Sequence, residues 1–166
     1  MQSHTSVKKT ILLAGAAGGT VEVVWVWLFC TVAPLQSSLV AEEIARSFFP
    51  QMAGISAVTA GVVIHYILAL LIAGVAAMTL FRMLGRTSKL RNVVAASVEA
   101  LVAIWATNFF VVLPVLNPVF VTLMPYAVTL ISKIGFGIAM GWIFAASTFA
   151  LAGETRQSSL GRLALR

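Results

Sequence analysis

Glu22, His65, Glu99 and Lys133 can carry charge, and each lies inside a different stretch that is otherwise apolar. A charge in the middle of a bilayer costs about 2.5 to 3.5 kcal/mol on insertion scales, so such residues pair, face a water-filled cavity, or serve function. Three kinds of chemistry fit these types. Buried ion pairs can fix which helix packs on which. A proton or ion path can run through Glu22, His65 and Glu99, since histidine titrates near neutral pH. A redox or metal role for His65 needs a second chain, because one membrane histidine cannot supply both axial ligands of a haem.

These positions need long apolar elements to hold them. The 166 residues are 60% hydrophobic and 10% charged, with a mean hydropathy of +1.01, whereas about a quarter of the residues of a soluble domain are charged. Four windows are apolar enough to cross a bilayer: about 10–33, 52–81, 92–113 and 125–151. Pro34 and Pro114 are expected to close the first and third, Pro50 to precede the second, and Pro125 to sit in the first turn of the fourth. The first window is too long for a signal-peptide core and reads as an uncleaved helix. No repeat or linker divides the chain, so a single domain over 1–166 is expected.

The net charge of +6 marks topology rather than a nucleic-acid surface. Lys8 and Lys9, then Arg82, Arg86, Lys89 and Arg91, then Arg156, Arg162 and Arg166 all fall on one side if the chain weaves up and down. By the positive-inside rule that side is cytoplasmic and holds both termini. Cys30 stands alone, which excludes an intrachain disulfide and a multi-cysteine metal site.

The connections differ in character. In the first outer loop Val40, Ile44 and Phe48 recur four apart while Glu42, Glu43 and Arg46 fall elsewhere on the wheel, the pattern of a short amphipathic interfacial helix. The second, from Pro114 to Pro125, is uncharged and apolar, so it is expected to cap the bundle or dip back against protein.

Small residues accompany each charged position: Gly15 and Gly19 near Glu22, Gly61 four before His65, Ala95, Ala96 and Ala103 around Glu99, and Gly137 and Gly141 beyond Lys133. Such stripes let helices approach closely and are expected to turn all four groups inward. Counting about 1.5 Å per residue matches Glu22 with Lys133 in depth, and His65 with Glu99. Asn108 is expected to hydrogen-bond across helices, and Asn117 before Pro118 suits a turn. Trp25, Trp105 and Trp142 lie too deep for an interfacial belt and are expected to pack, whereas Tyr126 fits the belt.

The run Asn108-Phe-Phe-Val-Val-Leu-Pro114-Val-Leu-Asn117-Pro118, then Met124-Pro125-Tyr126 and Ser132-Lys133-Ile-Gly-Phe-Gly137, resembles a family of small bacterial membrane proteins with no established activity. Glu22 followed by Val-Val-Trp25, and the segment from Gly61 to His65, are similar to it as well. The resemblance implies a bacterial inner-membrane location and groups Asn108, Pro114, Asn117, Pro118, Pro125, Tyr126 and Lys133 as one unit.

The expected fold is all-α: four transmembrane helices in an up-down bundle, with a short interfacial helix in the first outer loop. No nucleophile with its base, phosphate loop or metal-ligand set is present in the pattern, so neither an enzyme nor a cofactor is expected. The expected role is an accessory or interaction subunit, associating with itself or with other membrane subunits. The alternative is a small oligomeric transporter or ion conductor that uses the intramembrane Glu, His and Lys residues.

Overall fold

A computed structural model describes residues 2–84 and 89–164, with side chains over 7–79 and 89–147. Arg86 and Arg166 of the basic segments lie outside the described residues, as do the side chains of Arg82, Arg156 and Arg162. All regular secondary structure among the described residues is helical: α1 Gln2–Val32, α2 Ser37–Arg46, α3 Gly54–Leu84, α4 Leu90–Thr107, a π-helical turn Asn108–Val112, α5 Leu113–Leu116, α6 Pro118–Leu123 and α7 Tyr126–Ala164. Four stretches are long and apolar enough to cross a membrane: Val7–Val32, Gly54–Thr79, Leu90–Leu116 and Tyr126–Ser147.

The long helices pack in the order α3, α1, α7, α4, while α3 and α4 scarcely touch. Glycines set these approaches. A Cβ at Gly15 would stand 3.0 Å from the Leu70 Cα, and one at Gly18 would stand 2.4 Å from the Phe136 ring. Gly137 and Gly141 lie equally close to the backbone of α4, where an added Cβ would meet the Cα atoms of Val98 and Val94 at 2.8 Å. The core that results is built from small and large residues in alternation, with Ala14, Ala69 and Ala73 against Leu101, Phe136, Met140 and Phe144. Close packing of this kind supplies the dispersion contacts that hold helices together where lipid removes the hydrophobic drive.

The third span does not end at Pro114 as its sequence suggests. The helix widens over Asn108–Val112, where the Leu113 N–H reaches back five residues to the Asn108 carbonyl, and it then continues through Pro114 to Leu116. Proline lacks an N–H and its ring crowds the carbonyl four residues earlier. The wider turn accommodates both, and such turns recur at functional sites.

The two connections close over one end of the bundle. Helix α2 packs along α3 and touches α6. At the crossing a Cβ on Gly61 would lie only 1.8 Å from the Ala41 carbonyl oxygen. Helix α3 itself starts at Gly54, whose φ of +66° disfavours any other residue. The segment between Pro114 and Pro125 folds back as α5 and α6, burying Leu113, Asn117 and Met124.

Candidate functional site

Glu22 on α1 and Lys133 on α7 meet, with Lys133 Nζ 2.6 Å from Glu22 Oε1 and 2.8 Å from Oε2. The contact follows from Gly18, one turn before Glu22, which lets the Phe136 ring lie against α1. Ser132 Oγ donates to the Thr129 carbonyl at 2.7 Å and also faces Glu22 Oε1 at 3.4 Å. The ammonium further sits 5.7 Å from the centre of the Phe136 ring, a cation–π distance. Both charges are thus compensated at close range, as a low-dielectric site requires.

His65 on α3 faces the same region but has a different partner from the one expected. Its Nε2 lies 3.2 Å from the Gly19 carbonyl oxygen, and a carbonyl can only accept, so Nε2 carries the proton and donates. In the neutral ring Nδ1 is then a bare acceptor. Glu99 is exposed on the surface of α4 and has no hydrogen-bond or ion-pair partner among the described residues. The expected His65–Glu99 pair and the inward orientation of Glu99 are therefore corrected. Helix α4 turns Val93, Ser97, Leu101 and Trp105 into the bundle. Glu99 stands two residues past Ser97, about 200° round a helix of 3.6 residues per turn.

Two adjoining cavities, of about 530 Å³ and about 490 Å³, share Glu22, His65, Leu68, Asn108, Val112 and Lys133 as lining. The first extends toward α2 and α6, reaching Ala41, Ile44 and Phe120. The second runs between α3 and α4, bounded by Ile72, Ala103 and Ile104. Four helical elements therefore deliver four polar side chains to one place, in walls that are mostly apolar and carry the hydroxyls of Ser37, Ser38, Ser47, Thr129 and Ser132 on the side of the first cavity. Asn108, at the start of the π-helical turn, borders both cavities, and its side chain has no hydrogen-bond partner among the described residues. It does not bond across helices as its sequence context suggests.

A second polar network ties α2 to the loop between α5 and α6. Asn117 Nδ2 faces the Glu43 carbonyl at 2.9 Å, Glu43 Oε2 at 3.2 Å and Ser47 Oγ at 3.2 Å. Its Oδ1 accepts from the Phe120 N–H at 3.1 Å, capping α6 behind Pro118. Arg46 bridges Glu43 at 2.6 Å and also pairs with Glu42. Glu43 is only 5% exposed, which corrects its placement on the polar face of an amphipathic helix: Asn117 and Arg46 together satisfy it inside.

Aromatic residues complete the wall. Trp105 donates from Nε1 to Thr129 Oγ1 at 3.0 Å and Trp25 to the Val128 carbonyl at 2.9 Å. Tyr126 packs against Trp105, Phe109 and Phe110 with ring centres 5.5 to 6.4 Å apart. Trp142, expected to pack, is 59% exposed. Pro114, Pro118 and Pro125 shape the backbone around this cluster and do not border the cavities. Among the described residues no group of three His, Cys, Asp or Glu could hold a metal ion.

The π-helical turn, the unpartnered Asn108 and the Glu43–Asn117 link escaped the reading of the sequence. The signal available for the last was an asparagine before a proline opposite an unusually acidic outer loop. Comparison with protein-family models, with curated proteins and with solved structures finds no match for the chain.

Proposed function

We propose that this chain is a small, non-enzymatic membrane protein that holds a ligand within the bilayer, a carrier-type role and not conduction of ions. The observation behind this reading is the convergence of Glu22, His65, Asn108 and Lys133 on two adjoining cavities. Pockets of a few hundred cubic ångström with mostly apolar walls and a few polar groups are the usual form of a ligand site. Conduction fits less well, because Glu22 and Lys133 neutralise each other. The test is to purify the full chain from membranes and identify retained small molecules by mass spectrometry, beside a His65→Phe, Asn108→Leu double variant. A compound held by the parent and lost from the variant supports the reading. Retention of nothing by either, together with proton flux in liposomes that depends on Glu22, overturns it.

A second reading, an accessory subunit of a larger membrane assembly or a homo-oligomer, is favoured by Glu99. Its carboxyl group lies within the third span and on the protein surface, where a partner helix could satisfy it. Co-purification of a stoichiometric membrane partner, or of a second copy, that Glu99→Gln releases supports this role.

In either role we propose that the chain crosses the membrane, by its resemblance a bacterial inner membrane, as an up-down bundle with both termini cytoplasmic. The support is the one-sided distribution of lysine and arginine and the contact register: Trp25 with Val128, Glu22 with Lys133, and Gly18 with Phe136 run in opposite senses along α1 and α7. On that orientation α2 covers the outer face.

A further inference from the structure

We infer that the cavity takes a net-neutral, lipid-soluble molecule bearing a hydroxyl group, an alcohol or a phenol; this rests on the ligand-binding reading above. The charge of the site argues first. Glu22 is engaged by Lys133 at 2.6 Å, so a charged ligand would have to displace one member of a compensated pair and leave the other exposed to a low-dielectric wall. A neutral ligand leaves the pair intact.

Of the polar groups that border both lobes, His65 and Asn108 are the two with bonding capacity left over, and they select the head. In the neutral ring His65 donates through Nε2 to Gly19, which leaves Nδ1 to accept. The Asn108 side chain has no partner among the described residues, and its amide nitrogen can only donate. Both residues border both lobes, and a hydroxyl carries the donor that His65 lacks together with the acceptor that Asn108 lacks. An ether or a ketone can answer only Asn108. The walls select the body of the ligand: Leu68, Ile72, Ala103 and Ile104 line the passage between α3 and α4, the one pair of neighbouring long helices that hardly touch. Entry from the lipid between these helices suits an apolar molecule, and the combined space of the two lobes suits one of lipid-like size.

The test uses the full chain in phosphatidylcholine vesicles and a set of diazirine-bearing C12 probes that differ only in the head: alcohol, methyl ether, carboxylic acid and amine, with an alkyl phenol as a fifth arm. After irradiation, adducts are mapped by mass spectrometry and only those on Leu68, Ile72, Ala103 and Ile104 are scored. The expected result is that alcohol or phenol labels these residues at least about tenfold more than the ether, as a site built around a hydroxyl discriminates. Which of the two labels more distinguishes an aliphatic from a phenolic ligand. His65→Phe is expected to bring alcohol labelling down to the ether level without changing the ether, which uses Asn108 alone. Equal labelling by ether and alcohol, or stronger labelling by acid or amine, overturns the hydroxyl assignment while leaving a ligand site in place. Failure of every probe to label the passage overturns both.

Discussion

Lys133 and Glu22 stand 111 positions apart in the chain, yet the ammonium lies 2.8 Å from one carboxylate oxygen and 2.6 Å from the other. The pair joins α1 to α7 and lines both cavities. Removing one member leaves an uncompensated charge, which inside a protein costs about 3 to 5 kcal/mol. Lys133→Met and Glu22→Gln are each expected to lower the unfolding midpoint in detergent markedly, and the double variant to recover a large part of the loss. A double-mutant cycle showing simple additivity would remove the pair from the account of stability.

Gly61 and Ala41 make the tightest of the glycine approaches, at the point where α2 crosses α3. Gly61→Ala would force the helices apart, because a Cβ there would stand 1.8 Å from a backbone oxygen that has no rotamer to yield. The expected cost is at the upper end of overpacking, about 3 kcal/mol or more. Hydrogen exchange should show lost protection over residues 37–46 while α1 and α7 keep theirs. Gly18→Ala makes a useful contrast: the Phe136 ring at 2.4 Å can shift by rotation, so a smaller loss is expected.

How far the sequence discloses this architecture depends on what surrounds each stripe of small residues. Hydropathy alone locates four spans to within a few residues of Val7–Val32, Gly54–Thr79, Leu90–Leu116 and Tyr126–Ser147, because twenty apolar residues in a row have few alternatives. The meeting of Glu22 and Lys133 is legible from depth and from the glycines beside them. Glu99 shows where such reasoning stops. Its alanine neighbours look like a packing face, but a small-residue stripe can border a cleft or the lipid as well as a helix. The opposite stripe, Val93 to Trp105, has the larger residues and takes α7. The π-helical turn is illegible for a different reason: Pro114 signals a break, and only the hydrogen-bond shift over Asn108–Val112 shows that the helix continues.

Asn117 holds α2 and α6 together through one side chain, donating to Glu43 and Ser47 and capping the Phe120 N–H. Asn117→Ala strips a partner from the Glu43 carboxylate, 5% exposed, and removes a cap. The two losses are expected to total about 2 to 4 kcal/mol. Asn117→Asp is expected to be worse, since it places a second carboxylate against the first. Limited proteolysis between residues 34 and 53 provides the measurement, with cleavage rising in the order parent, alanine, aspartate.

Glu99 separates folding from association. Its side chain is exposed and touches no polar partner among the described residues, so Glu99→Leu removes the cost of a carboxyl group at the lipid-facing surface without disturbing a packed contact. Insertion scales put that cost at about 2.5 to 3.5 kcal/mol near the centre of a span, less where the group lies toward an end. The variant is expected to be at least as stable as the parent in detergent. If Glu99 serves a partner helix, the same variant loses that partner when membranes are solubilised gently, while its melting curve does not fall. A drop in stability of the isolated chain would instead show that the carboxyl group is held inside the fold. That outcome would place α4 differently against α3 and close the passage through which a lipid-soluble ligand is expected to enter.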